Sequence, residues 1–266
     1  MKKINNIKLL AGSILAVFVI LLSWKLLYSY NCISLIFSVI FLFIILHSLI
    51  EIKVHKRNCI KNCYFKENSF FAKLLTSKTT IRILYFLIST VITISVMYSI
   101  ITYQWQFWAY IAVHIIIVVI VFNFLNSALV NTVHTEYLSL LSKETTIKIT
   151  LLPLLGVYIY VVLNGYTPIY LRDTLEETII AATNSIHSQC YIVDYILRLK
   201  TELDANFWWL FIKMSNTIDN NISKYFIWIS FIAINGLAIV GINRFIVQIV
   251  YILKKGFNSG KIHNEQ

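Results

Sequence analysis

Thiol and imidazole side chains recur at a helical spacing in one basic stretch, where His55, Cys59 and Cys63 are four residues apart. A helix would place all three on one face, and thiolate and imidazole are good zinc ligands. The spacing is not a C-x2-C pattern, a fourth ligand is lacking, and Lys56 and Lys61 add positive charge that disfavours a cation. We therefore predict a basic surface helix here and no metal site.

His114 lies near the middle of a long apolar segment. An ionisable group at membrane depth indicates function by default, although a neutral histidine also serves as a hydrogen-bond partner between helices. A proton path would need a carboxylate partner, and the cores of the apolar segments contain none. We retain His114 as the candidate intramembrane functional residue and favour a structural role for it.

The acidic residues Asp173, Glu176 and Glu177 fall in the first turns of a predicted helix, where carboxylates favour the positive end of the helix dipole. No phosphate-binding glycine loop, nucleophile elbow or His-Glu-x-x-His motif occurs in the chain. The sequence therefore predicts a protein that is not an enzyme, with no catalytic residue, no cofactor and no metal.

Composition decides the fold class. Of the 266 residues, 58% are hydrophobic and only 13% are charged, about half the charge of a typical soluble domain. The apolar residues form continuous blocks of the roughly 20 residues that a membrane-crossing helix needs. We predict an all-α polytopic membrane protein with six transmembrane helices and an amphipathic helical segment on the outer side between helices 5 and 6.

The blocks divide the chain into seven predicted parts. They are a first transmembrane hairpin over 1–50, a basic cytoplasmic connection over 51–82, a second hairpin over 83–130, a second cytoplasmic connection over 131–148, a fifth helix over 149–165, outer amphipathic helices over 166–223, and a sixth helix with a basic tail over 224–266. The first block resembles a signal sequence, but no small-x-small site follows it, so we expect it to be retained. Its removal would leave five helices.

Lysine and arginine indicate the orientation. With both termini in the cytoplasm, 17 of the 23 basic residues lie on the inner side, as the positive-inside rule requires. The six tryptophans then fall at or near the outer interface. A net charge of +11 at the ends of apolar blocks favours anionic headgroups over nucleic acid. We expect a bacterial inner-membrane protein that contacts membrane lipid and binds no nucleic acid.

The outer segment is the only long stretch with a clear amphipathic pattern. Thr167 as a cap and Pro168 in the first turn predict one helix that runs to about Lys200, and a second helix is expected from about Asp204 to Thr217. We expect its apolar stripe and aromatic run to lie in the headgroup layer or beneath a protein partner. The candidate interface residues are Leu175, Ile179, Ile186, Val193, Leu197, Phe207, Trp208, Trp209 and Phe211.

The four cysteines divide by compartment, with Cys32 and Cys190 outside and Cys59 and Cys63 in the cytoplasm. A disulfide between Cys32 and Cys190 would hold the amphipathic helix over the first hairpin, provided that the two Cα atoms lie within about 7 Å. The alternative is two buried free thiols, since free cysteine is commonly buried.

These patterns favour a non-catalytic integral component, a scaffold or subunit, of a membrane or cell-envelope protein assembly. It would contact other membrane proteins or further copies of itself as an oligomer. The alternative is an oligomeric channel or a small transporter, with Ser89, Thr93 and Ser99 as candidate lining residues. The scarcity of glycine and proline argues against a transporter, because transporters often break their helices at the membrane midplane.

Overall fold

The computed structural model describes residues 2–64, 78–163, 167–214 and 221–262, and every regular element in these ranges is a helix. A π-helical turn, Leu210–Met214, extends the seventh helix. In chain order the helices are α1 (Lys2–Leu27), α2 (Ser34–Tyr64), α3 (Lys78–Thr102), α4 (Trp105–Ala128), α5 (Thr135–Leu163), α6 (Leu175–Ser185), α7 (Tyr191–Trp209) and α8 (Asn221–Ile262).

Six of these helices are long and apolar enough to cross a membrane, so the chain has the design of a multi-pass membrane protein. A helix suits hydrocarbon because it satisfies its backbone hydrogen bonds internally. The predicted number of six spans is confirmed for the described part of the chain. The spans are Ile7–Leu27, Ser34–Glu51, Thr79–Thr102, Trp105–Ala128, Tyr137–Val161 and Ile229–Phe257.

The α8 span is the centre of the bundle. In an 18-residue apolar stretch of this span 72% of the residues are buried, compared with 28% to 44% in such stretches of the other five spans. Phe245 stacks on Phe41 of α2 with ring centroids 4.3 Å apart, and α8 also meets α3 closely at Gly241. A Cβ atom at Gly241 would lie 2.5 Å from Cγ2 of Val96 and 2.6 Å from Cγ2 of Ile92, so only glycine allows this approach.

The fifth span begins earlier than the sequence indicated. Most of the predicted connection over 131–148 is the first half of α5, and Ser142, Thr146 and Thr150 are fully buried there. These small residues recur every fourth position, and the two threonines donate hydrogen bonds to carbonyl oxygens one turn earlier. Such residues allow helices to approach closely without exposing polar groups, so a stretch of polar composition forms a packed helical face.

The segment between the last two spans also differs from the prediction. The expected single helix from Pro168 to Lys200 is two helices, α6 and α7, separated by a bend over 186–190. Thr174, and not Thr167, caps α6, because its side chain accepts a hydrogen bond from the Glu177 N–H. The expected second helix from Asp204 begins instead as the continuation of α7.

The bend is held by contacts with the first hairpin. The Gln189 N–H donates to the Ser29 carbonyl at 3.1 Å, and the Ser188 hydroxyl donates to the Tyr28 carbonyl. Cys190 forms a disulfide with Cys32, which lies just before α2. We call this end of the bundle the disulfide end.

Candidate functional site

Cys32 and Cys190 are joined in a disulfide with a Cα–Cα distance of 4.9 Å, within the limit that the pairing requires. The bond connects two parts of the chain that are 158 residues apart. It fixes the start of α7 against the loop between α1 and α2. Of the two alternatives that the sequence left open, the structure therefore contains the disulfide.

The predicted interface residues lie mostly against the chain's own bundle. Ile186, Val193 and Leu197 are buried in the main core, and Trp208 and Phe211 are buried with Phe231 of α8 in a second cluster. The other four are partly buried, namely Leu175, Ile179, Phe207 and Trp209. The periodic stripe is therefore covered largely by the same chain, and its expected contact with the headgroup layer or a partner stays a prediction.

A different face of α7 is exposed. Ile192, Leu199 and Leu203 lie opposite the buried stripe, and Tyr191 and Tyr195 lie beside them. Their exposed fractions are between 50% and 81%. We call these five residues the α7 exposed face. Sequence reasoning missed them, although Tyr191, Tyr195, Leu199 and Leu203 recur every fourth residue.

His114 is fully buried in the middle of the bundle and joins a polar network between three helices. Its Nε2 lies 3.0 Å from Oδ1 of Asn243, and the hydroxyl of Thr150 lies 2.9 Å from the same oxygen. The Asn243 amide donates to the Ile147 carbonyl at 2.8 Å, which identifies Oδ1 as the acceptor and places the His114 proton on Nε2. Among the described residues, Nδ1 of His114 has no hydrogen-bond partner.

Charged residues are buried near the opposite end of the bundle. Lys143 of α5 has a fully buried side chain and donates to Glu51 of α2, which also accepts from the Tyr251 hydroxyl at 3.1 Å. Glu144 pairs with Arg244 of α8 at 3.5 Å. Glu51 ends one candidate span and Glu144 lies within another, because the fifth span begins before the apolar segment that the sequence indicated. The sequence signal was an acid–base pair, Lys143-Glu144, inside an otherwise helical pattern.

A cavity of about 360 Å³ lies at the disulfide end, between α3, α4, α5, α7 and α8. Polar side chains, including Gln104 and Asn235, and apolar ones such as Val157 share its wall with many aromatic rings. Asp204 is the only charged residue among the described residues that line it. The aromatic residues are Tyr98, Tyr103, Phe107, Tyr110, Tyr158, Tyr170 and Trp208.

Asp204 organises one wall of this cavity. Its Oδ2 accepts hydrogen bonds from the Tyr98 hydroxyl at 3.1 Å and the Tyr170 hydroxyl at 2.8 Å, and its Oδ1 lies 3.4 Å from Nζ of Lys200. Burial and the negative charge of Asp204 raise the pKa of Tyr170 far above its ordinary value, so this phenol stays neutral and continues to donate. The carboxylate is therefore held in place by two fixed donors.

The other sequence predictions concern metals and catalysis. The side chains of His55, Cys59 and Cys63 lie outside the described residues. In the described part of the chain, no group of three or more histidine, cysteine and acidic side chains could hold a metal ion. Ser89 and Thr93 of α3 are buried, and Ser99 lines the cavity rather than an open pore.

Comparison with known proteins adds no family to this description. No family model, no curated protein and no solved structure matches the chain.

Proposed function

We propose that the protein is a non-catalytic component of a membrane or cell-envelope assembly and that its docking surface is the α7 exposed face. The single observation that carries the proposal is a helix that is apolar on two opposite sides. One side is buried against the bundle, and the other presents five large apolar or aromatic side chains that are at least half exposed. Large apolar side chains that are exposed together on a helix outside the candidate spans indicate an interaction surface.

The α7 exposed face has the dimensions of a binding surface. Twelve residue steps separate Tyr191 from Leu203, which is about 18 Å along a helix. Contiguous exposed apolar patches of a few hundred Å² mark interaction sites on proteins. Tyrosine is also enriched at the centres of protein interfaces. The partner that fits this surface is another membrane protein that contributes an apolar helix or loop, with a second copy of this chain as the alternative outcome of the test.

The orientation of the chain belongs to the same proposal. Disulfides form and persist in oxidising compartments, so the Cys32–Cys190 bond supports an outer location for the disulfide end. The distribution of lysine and arginine supports the same side independently. We place the protein in the inner (plasma) membrane with both termini in the cytoplasm and the α7 exposed face outside.

The docking surface is tested with single arginine substitutions. Leu199→Arg places a charge in the middle of the α7 exposed face, and Asn184→Arg places the same charge at an exposed polar position of α6. After extraction in mild detergent, proteins that co-purify with the unaltered chain and with Asn184→Arg are expected to be lost from Leu199→Arg. If the unaltered chain is extracted from native membranes as a monodisperse monomer with no bound protein, the proposal is contradicted.

The orientation is tested by labelling intact cells with a membrane-impermeant maleimide. A cysteine introduced by Asn184→Cys, at an exposed position of α6 outside the α7 exposed face, is expected to react, and Cys63 is expected to react only after the cells are opened. Labelling of Cys63 in intact cells would show that the orientation is reversed.

A small transporter or oligomeric channel is the second candidate, and one observation favours it. Ionisable groups lie inside candidate spans, namely the Glu51–Lys143 pair and His114, which is hydrogen-bonded to Asn243. Such groups often mark ion or proton pathways. Proton flux into vesicles that contain the purified chain, with loss of that flux in Asn243→Leu, would favour this candidate over the scaffold.

A further inference from the structure

The cavity at the disulfide end combines two chemical features. Its wall is rich in aromatic rings, whose faces carry partial negative charge, and its one charged lining residue is the carboxylate of Asp204. The Asp204 side chain is 9% exposed and is held by the Tyr98 and Tyr170 hydroxyls. Aromatic faces beside a fixed carboxylate form the environment that binds ammonium ions.

The ammonium group of Lys200 already lies beside this carboxylate and one of these aromatic rings. Nζ of Lys200 lies 3.4 Å from Oδ1 of Asp204 and 4.9 Å from the ring centroid of Tyr98. A close charge-assisted hydrogen bond from an ammonium group to a carboxylate is about 2.7–2.9 Å long. The Lys200 contact is longer, so Lys200 compensates the charge of Asp204 only in part, and the carboxylate can also attract a cation in the cavity.

We propose that this cavity binds an organic ammonium ion with small apolar substituents, held by the carboxylate of Asp204 and the surrounding tyrosine rings. The apolar part of the ligand would fill the space beside Val157 and Phe107. The ammonium group has two sources, a free amine or the headgroup of an ethanolamine or choline lipid. This inference is independent of the proposed docking function, because the cavity does not include the α7 exposed face.

Binding is tested with the purified full chain in a neutral detergent. Choline is titrated while tryptophan fluorescence is recorded, since Trp208 lines the cavity. The matched control ligand is 3,3-dimethylbutan-1-ol, which has the shape of choline without its charge. Choline is expected to bind saturably and at least about tenfold more tightly than the neutral alcohol, because the alcohol lacks the positive charge that the carboxylate and the ring faces attract. Equal affinity for the two compounds, or no saturable binding of choline, would overturn the proposal.

Two substitutions on α7 assign the site. Asp204→Asn removes the charge and is expected to weaken choline binding by about tenfold or more. Asp194→Asn is the matched control, because Asp194 lies on the same helix outside the cavity, and it is expected to bind choline as the unaltered chain does. Unchanged binding by a folded Asp204→Asn variant would show that the cavity is not the site.

A third variant keeps the test decisive if Asp204→Asn does not fold. Lys200→Met removes the resident ammonium group that shares Asp204, so choline is expected to bind more tightly; weaker binding would contradict the assignment. Titrations in lipid nanodiscs then separate the two sources, provided that they are made at about 1 M salt, which screens the attraction of choline to the anionic phosphatidylglycerol surface. Lower apparent affinity for choline in phosphatidylethanolamine than in phosphatidylglycerol identifies the lipid headgroup as the occupant, and equal affinity identifies a free amine.

Discussion

Replacement of Gly241 by alanine tests how closely α3 and α8 approach each other. The new Cβ would lie 2.5 Å from Cγ2 of Val96 and 2.6 Å from Cγ2 of Ile92, whereas carbon atoms in contact are normally about 3.5–4.0 Å apart. Both opposing atoms belong to β-branched side chains, which have few alternative rotamers in a helix. The two helices must therefore separate, and overpacking of this kind costs about 1–3 kcal/mol.

Gly156→Ala is the matched control, because no atom lies within 4 Å of a Cβ at that position of α5. Both substitutions gain the same helix propensity, so the difference between them isolates the contact with Val96 and Ile92. In thermal unfolding in detergent, we expect Gly241→Ala to melt roughly 2–10 °C below Gly156→Ala.

The pair Gly241→Ala and Val96→Ala completes a double-mutant cycle. Val96→Ala removes one of the opposing methyl groups, so the double variant should be more stable than the sum of the two single effects predicts. Equal melting temperatures for Gly241→Ala and Gly156→Ala would refute the close approach. Additive losses in the double variant would refute the part of the reasoning that concerns Val96.

Three further predictions follow from the charged and covalent contacts. Lys143→Met leaves Glu51 without its cation and should lower the free energy of unfolding by about 3 kcal/mol, and adding Glu51→Gln should recover part of the loss in the same unfolding assay. Reduction of the Cys32–Cys190 disulfide should cost about 2–4 kcal/mol and should make both thiols reactive to maleimide, as mass spectrometry would detect. Burial acts to raise the pKa of Asp194. Hydrogen bonds from the Ser188 backbone N–H and the Arg198 guanidinium outweigh this effect, so the pKa of Asp194 is lowered. The ionised Asp194 therefore stabilises the fold at pH values above its unfolded pKa of 3.8, and this stabilisation is lost as the pH falls through the folded pKa. In Asp194→Asn, the melting temperature should therefore fall less steeply as the pH is lowered over this range.

The spans could be predicted because each is a continuous apolar block, and a helix is one of the few structures that satisfy their backbone hydrogen bonds inside the hydrocarbon core. The start of α5 could not be predicted, because Ser142, Lys143 and Thr146 are polar residues and interrupt the apolar pattern. The Thr146 hydroxyl donates within the helix and the Lys143 ammonium group pairs with Glu51, and only tertiary structure reveals such pairing. Composition therefore identified the number of spans and misjudged where one of them begins.

The bend between α6 and α7 could not be predicted from the periodic spacing of the apolar residues. Apolar residues recur every three or four positions from Leu175 to Leu197 without interruption, which is typical of one helix. The bend depends on contacts with Cys32 and Tyr28, which are distant in sequence. Periodicity also indicates that a face is buried without showing what buries it, so it could not show that the chain's own bundle covers Val193.

The central position of α8 has a consequence for how the chain is made. This helix is the last of the six spans to leave the ribosome, yet Asn243, Arg244 and Gly241 on it complete contacts with helices that are inserted earlier. Until α8 arrives, Glu144 and the network of His114 have no partner on that side. The first five spans therefore reach their final arrangement only after α8 has been inserted among them.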